Sequence, residues 1–213
     1  MRVKGTIKQI TSKEAKAFLL PRHYSGRAPS ISRAFGWFFQ DELKAVVTYG
    51  KPASPSLCKG ICGEKWGGCV YELNRLCREE DFEEPLSQFV SATLRKLKSE
   101  NWIIVSYSDT AMHHTGYIYQ ACNFLYTGKT KERTDIYTGK GKHSRHYTDE
   151  DRNCNIRVLR SSKHRYVYFC TSDKKLKKQW KNDLNYPICE YPKGDNQNYV
   201  LGHFIEPILI YNN

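Results

Sequence analysis

The feature that most constrains this chain is the run Trp102-Ile103-Ile104-Val105-Ser106-Tyr107. A short, almost unbroken apolar segment rich in β-branched residues reads as a strand buried on both faces rather than one with a wet side. Such a strand needs a packing layer above and below it, which calls for an α/β architecture with helices on both faces of a central sheet. Asp109 follows within two residues. It therefore sits at the carboxyl end of a central strand, where open α/β sheets carry their reactive groups.

The remaining elements can be ordered around that strand. Residues 3–10 read as a strand, and residues 12–20 as a helix capped by Ser12 and stopped by Pro21. Residues 33–39 and 43–49 form a hairpin turning at Asp41 and Glu42. Residues 50–68, rich in Pro, Ser, Gly and Cys, read as a loop, and residues 69–77 as another strand. Pro85 opens a helix whose apolar positions Leu86, Phe89, Val90, Leu94 and Leu97 fall at helical spacing. A second helix is expected over residues 114–124, a turn-rich stretch from 126 to 163, a strand at 166–170 and a short basic helix at 174–181. This order is a mixed central sheet with helices on both faces. It matches the Gcn5-related N-acetyltransferase architecture, with a basic C-terminal extension, in a single domain spanning residues 1–213.

The chain carries a net charge of +12, which favours a polyanionic partner. Residues 129–181 hold 16 Lys or Arg against 6 Asp or Glu, a net +10. Within this stretch the run from Tyr137 to Tyr147 mixes small residues, cations and aromatics. Lys140, Lys142 and Arg145 can neutralise phosphates, and Tyr137, His146 and Tyr147 can stack on a displaced base. Lys140, Lys142, Arg145, His146 and Arg165 are the candidate DNA contacts, and double-stranded DNA is the expected partner.

Other classes recede. Cys58, Cys62, Cys69 and Cys77 contain no Cys-x-x-Cys pair, so a structural zinc domain is not indicated. Residues 1–10 are mixed and charged and do not read as a secretory segment, so the thiols are expected to be reduced and the protein cytoplasmic. No apolar run approaches a membrane span.

Several side chains can carry chemistry. Asp109 can accept a proton from an amine or cap the next helix. Strand alternation puts Arg75 on one face with Tyr71, Leu73 and Cys77, where it needs an anionic partner, a carboxylate or a bound phosphate. Ser87 lies in the first turn after Pro85, where free amides favour anions. In acetyltransferases a Gly-rich loop precedes that helix and cradles the pyrophosphate of coenzyme A. Here the segment is Arg78-Glu79-Glu80-Asp81-Phe82-Glu83-Glu84, without glycine and with five carboxylates, which argues against acetyl-CoA. His23 and Tyr24 lie in the loop after the first helix, and His23 can serve as a base or a metal ligand. Tyr119 is either core or a hydroxyl reaching the cleft.

Several stretches, taken in order, resemble the Mom family of bacteriophage DNA-modification proteins. They are Leu20-Pro21-Arg22-His23-Tyr24, Tyr71-Glu72-Leu73-Asn74-Arg75-Leu76, Ser106-Tyr107-Ser108-Asp109, His114 to Ala121 with Tyr126-Thr127-Gly128, and Glu190-Tyr191-Pro192-Lys193. The resemblance implies a modified acetyltransferase fold. The implied activity converts adenine in DNA to a carbamoylmethyl-adenine on its exocyclic amine, protecting phage DNA from host restriction. By motif it points to His23, Tyr24, Arg75, Asp109 and Tyr119 as catalytic, and to Ser87 and Arg75 as cofactor-binding. It also implies iron, with His23, Tyr24 and Asp109 as ligands, and leaves the donor unknown. A phage-encoded protein of this kind would act in the host cytoplasm. The alternatives are an N-acetyltransferase of a small molecule or protein and a non-enzymatic basic DNA-binding protein.

Overall fold

The computed structural model describes residues 4–23, 25–139, 147–194 and 206–211. The chain runs through β1 (Thr6–Gln9), α1 (Ser12–Leu19), β2 (Arg33–Phe39), β3 (Glu42–Gly50), α2 (Pro55–Cys62), β4 (Val70–Arg78), α3 (Leu86–Leu97), β5 (Trp102–Asp109) and α4 (Tyr117–Ala121). It continues through β6 (Leu125–Lys129), β7 (Arg133–Ile136), α5 (Asp149–Arg152), β8 (Ile156–Arg160), β9 (Lys163–Cys170), α6 (Lys174–Asn182) and β10 (Leu209–Tyr211). Seven strands form one mixed sheet in the order β1-β2-β3-β4-β5-β9-β6, and β10-β8-β7 form a smaller antiparallel sheet. Among the described residues, β4 and β5 are the one parallel pair.

Both faces of the large sheet are covered, as the apolar run requires. Residues 102–106 are all buried. Trp102 and Ile104 pack with Phe89, Val90 and Leu94 of α3, whereas Ile103 and Val105 pack with Ile61 of α2 and Trp180 of α6. Helix α1 covers the β2–β3–β4 end of that second face through Ala15, Phe18 and Leu19. Among the described residues, no helix is long and apolar enough to cross a membrane.

Four local expectations change. Thr11, not Ser12, caps α1, because its hydroxyl accepts from the Glu14 amide at 3.2 Å while the Glu14 carboxylate accepts from the Thr11 amide at 2.7 Å. The expected loop 50–68 contains α2, where Ser54 is the cap and Pro55 the first helical residue. The helix expected over 114–124 shrinks to α4, because His113, Gly116 and Asn123 take positive φ of 53°, 81° and 59° and break the helix on either side. The turn-rich stretch from 126 to 163 holds parts of β6 and β9 and all of β7 and β8.

Candidate functional site

Strands β4 and β5 pair only from Val70–Ile103 to Glu72–Val105. Beyond that point β4 bonds to β3 and β5 bonds to β9, so the two parallel strands part. A cavity of about 330 Å³ opens in the gap, with His23, Glu72, Arg75, Asp109, Tyr119 and Lys163 among its lining residues. Four of the five residues assigned to catalysis from the sequence, His23, Arg75, Asp109 and Tyr119, thus meet in one cleft. The fifth, Tyr24, lies outside the described residues.

Asp109 closes the end of β5. Its Oδ1 accepts from the Ala111 amide at 3.0 Å and from the Ser161 hydroxyl at 2.5 Å, and its Oδ2 lies 3.0 Å from the Lys163 ammonium. Burial pushes its carboxyl up, but the Ser161 hydrogen bond, the Lys163 charge and the Ala111 amide outweigh burial and hold it below its usual value. The group is an anion fixed by both oxygens, suited to holding Lys163 and the local field more than to accepting a proton. It also caps the short 3₁₀ turn Thr110–Met112.

His23 is buried, and its Nδ1 accepts the Ser25 amide at 3.1 Å, so the ring proton resides on Nε2. Burial lowers its basicity first, followed by the charges of Arg75 and His114, to a pKa of about 3. A ring this hard to protonate is neutral near pH 7 and carries its one proton on Nε2.

Arg75 departs from the strand alternation read from the sequence. The β3–β4 register pairs Thr48 with Arg75 but Tyr49 with Leu73, which leaves Asn74 bulged. The extra residue flips the pleat. Leu73 and Leu76 pack in the core under α3, with Tyr71 against it, while Cys77 joins the cluster under α1. Arg75 therefore does not share a face with Tyr71 and Leu73. Its Nη1 donates to the Asn74 carbonyl at 2.6 Å, and its side chain lines the cleft.

Tyr119 is half-buried, its ring packed against Phe124 and Tyr166 at centroid distances of 5.4 and 5.3 Å. It reconciles the two sequence readings, being both core and cleft wall. Ser87 does not line the cavity; its backbone carbonyl accepts the Cys122 thiol at 3.3 Å. Arg165 sits on β9, where it donates to the Thr127 hydroxyl and carbonyl, both at 2.9 Å, and stacks over Tyr186 at 3.3 Å. Lys140, Lys142, Arg145 and His146 lie outside the described residues.

The acidic run between β4 and α3 has a structural role that sequence alone did not reveal. Glu79 pairs with Arg22 at 2.8 Å, Asp81 with Lys44 at 3.2 Å and Glu84 with Lys4 at 3.2 Å, while Phe82 is buried 4.9 Å from Trp37. Glu79 and Glu80 also line the cleft. Pro85 is the cap residue of α3 rather than part of its first turn.

Sequence reading missed three cleft residues. Lys163 is brought to Asp109 by the β5–β9 pairing across 54 positions, for which no local signal exists. Glu72 lies inside the Tyr71–Leu76 motif but drew no attention beside Arg75. Ser108, 6% exposed, lines the cleft with a hydroxyl that has no hydrogen-bond partner among the described residues. Of the iron ligands implied by the resemblance, His23 and Asp109 line the cleft and Tyr24 lies outside the described residues. Among the described residues no three His, Cys, Asp or Glu are grouped to hold an ion, and the Asp109 oxygens are already engaged.

The sequence model of the Mom protein family matches residues 4–193. No curated protein matches the chain. Similar solved structures include an acetyltransferase from Bacillus subtilis in complex with CoA, 15% identical, with a TM-score of 0.44 over 76% of this chain and 97% of that one. An N-acetyltransferase from Staphylococcus aureus Mu50 is 12% identical, with a TM-score of 0.48 over 78% and 98% of the two chains. The aminoglycoside N(6')-acetyltransferase of Legionella pneumophila is 11% identical, with a TM-score of 0.48 over 84% and 98%.

Proposed function

This chain belongs to the Mom protein family, and from that premise we propose that it is a DNA-modifying transferase that builds a carbamoylmethyl group on the exocyclic amine of adenine. In a phage, such a mark would shield the DNA from host restriction. The observation that carries the reading is the convergence of His23, Arg75, Asp109 and Tyr119, drawn from four separate segments, on one cleft where β4 and β5 part.

The target adenine is turned out of the duplex so that its amine reaches the cleft. That amine is a weak nucleophile, because its lone pair is delocalised into the ring. The cleft compensates by orientation and field. As the amine nitrogen bonds to the donor carbon, the leaving group departs with the electron pair of the broken bond and the amine proton passes to water. The His23 Nε2–H and the cations Arg75 and Lys163 steady the departing negative charge, and Asp109 keeps Lys163 in place. Glu79 and Glu80 on the wall disfavour a pyrophosphate, so acetyl-CoA is not the donor this cleft suits. Double-stranded DNA is the partner, held by the positive charge of residues 129–181.

Mass spectrometry of nucleosides from plasmid DNA of expressing cells tests the reading. A carbamoylmethyl-adenine in wild type that disappears in Asp109→Ala is expected. Unmodified nucleosides in wild type, or undiminished modification in Asp109→Ala, would overturn it.

A further inference from the structure

A second, larger cavity of about 970 Å³ adjoins the cleft and shares Glu72, Asn74 and Arg75 with it. Two of these side chains are committed elsewhere. Asn74 accepts from the Thr48 hydroxyl at 2.6 Å and donates to the Ser30 carbonyl at 2.8 Å, and Arg75 donates to the Asn74 carbonyl. Glu72 differs. Among the described residues no hydrogen bond or ion pair reaches its carboxyl, and Arg75 and Lys163 act on it only through space. Burial raises its pKa despite those two cations. The carboxyl stands where the two cavities meet and is open to a ligand from either one.

The two cavities differ in character. The cleft is the smaller, and it already holds the unpaired Ser108 hydroxyl with Arg75 and Lys163, a set that suits a small polar donor group. The second has walls of small residues, Ala28, Ala53, Gly67 and Gly68, and a Cβ added at Gly68 meets nothing within 4 Å. A flat ring can lie close to such walls. Arg27, Lys51 and Lys59 also line this cavity. Lys59 is paired with Glu64, and Lys51 donates to the Val70 carbonyl at 3.1 Å, whereas Arg27 has no ion pair among the described residues.

We propose that the second cavity admits the target nucleotide and that Glu72 recognises its exocyclic amine at the junction of the two cavities. The inference rests on the adenine-modification reading and deepens it. A carboxyl oxygen accepts a hydrogen bond from an amine in either protonation state. Adenine presents the complement, an exocyclic amine donor. The amine is thereby turned toward the cleft, and Arg27 faces the nucleotide's phosphate.

The test is equilibrium binding by the full chain of two single-stranded probes, oligo-deoxyadenylate and the same length of oligo-deoxypurine, which lacks the exocyclic amine. Wild type is expected to prefer the adenine probe by about tenfold, the worth of one good base-edge contact. Glu72→Leu, which removes the acceptor at similar volume, should abolish most of that preference while leaving affinity for the purine probe intact, and Glu72→Gln, which keeps a carbonyl acceptor, should retain part of it. Ala28→Trp, which places a bulky ring in the second cavity while keeping the Glu72 carboxyl, should weaken both probes. Equal binding of the two probes by wild type, a preference retained in Glu72→Leu, or unchanged binding in Ala28→Trp would each overturn the inference. Plasmid nucleosides separate the two levels. Modified adenine in wild type with any of those binding results sinks only this inference. Unmodified DNA with an amine preference that depends on Glu72 sinks only the activity.

Discussion

Asp109 and Lys163 end and begin two adjacent antiparallel strands, and their side chains meet 3.0 Å apart at the cleft wall. Removing the carboxylate takes from Lys163 the anion it pairs with. Asp109→Asn is expected to cost about 1–3 kcal/mol of stability, the range for a charged hydrogen bond, and to cut DNA modification by about tenfold or more. The pH sign follows from its depressed pKa. Its stabilisation is complete above the ordinary Asp value of about 3.9 and is lost as pH falls through the lower folded value. The Tm gap between wild type and Asp109→Asn should therefore hold steady at neutral pH and close only in strong acid.

His23 gives a second pH dependence. Its folded pKa of about 3 lies below its ordinary 6.5, so the unfolded chain takes up a proton that the folded chain refuses. Stability from this site is complete above pH 6.5 and falls steadily between 6.5 and about 3. In a proton NMR titration the His23 ring should show no inflection near 6.5. A normal titration there would refute its burial as a neutral donor.

Gly116 holds α4, and with it Tyr119, against the sheet. It has φ of 81°, and a Cβ there would lie 2.4 Å from the Tyr166 ring, which is fully buried. Neither partner can yield, because the Tyr166 hydroxyl also donates to the Thr115 carbonyl. Gly116→Ala should lower stability by about 1–3 kcal/mol, read by urea unfolding, and reduce modification through displaced Tyr119.

Trp180 anchors the basic helix α6. It is fully buried against Trp66 and Phe169, yet its Nε1 has no hydrogen-bond partner among the described residues. Trp180→Ala should cost roughly 3–5 kcal/mol. Trp180→Phe keeps most of the packing and removes the unpaired N–H, so its cost should be smaller, about 1–2 kcal/mol. Denaturant midpoints of the two variants test the ordering.

The central layer was legible because its signals are local. The apolar run at β5, the β2–β3 hairpin and the spacing of Phe89, Val90 and Leu94 in α3 each follow from neighbouring residues. Helix α2 was not, since Ser54 and Pro55 serve equally as a helix start and as loop residues. The site was legible as a set of residues but not as a geometry. The bulge at Asn74 reversed the face of Arg75, and the pairings of Asp109 with Ser161 and Lys163 depend on which strand the chain returns to after more than fifty residues. The acidic run before α3 was legible as charge but not as the set of ties from Glu79 to Arg22 just after α1, from Asp81 to β3 and from Glu84 to Lys4.

The turn joining β8 to β9 consists of Ser161 and Ser162, and both are sewn to the end of β5. Ser161 donates to Asp109, and the Ser162 carbonyl accepts the Thr110 hydroxyl at 2.7 Å. The smaller sheet, which carries Arg133, Arg157 and Arg160, hangs from that turn. Any displacement of the smaller sheet therefore pulls on the same hydrogen bonds that fix the Asp109 carboxylate at the mouth of the cleft.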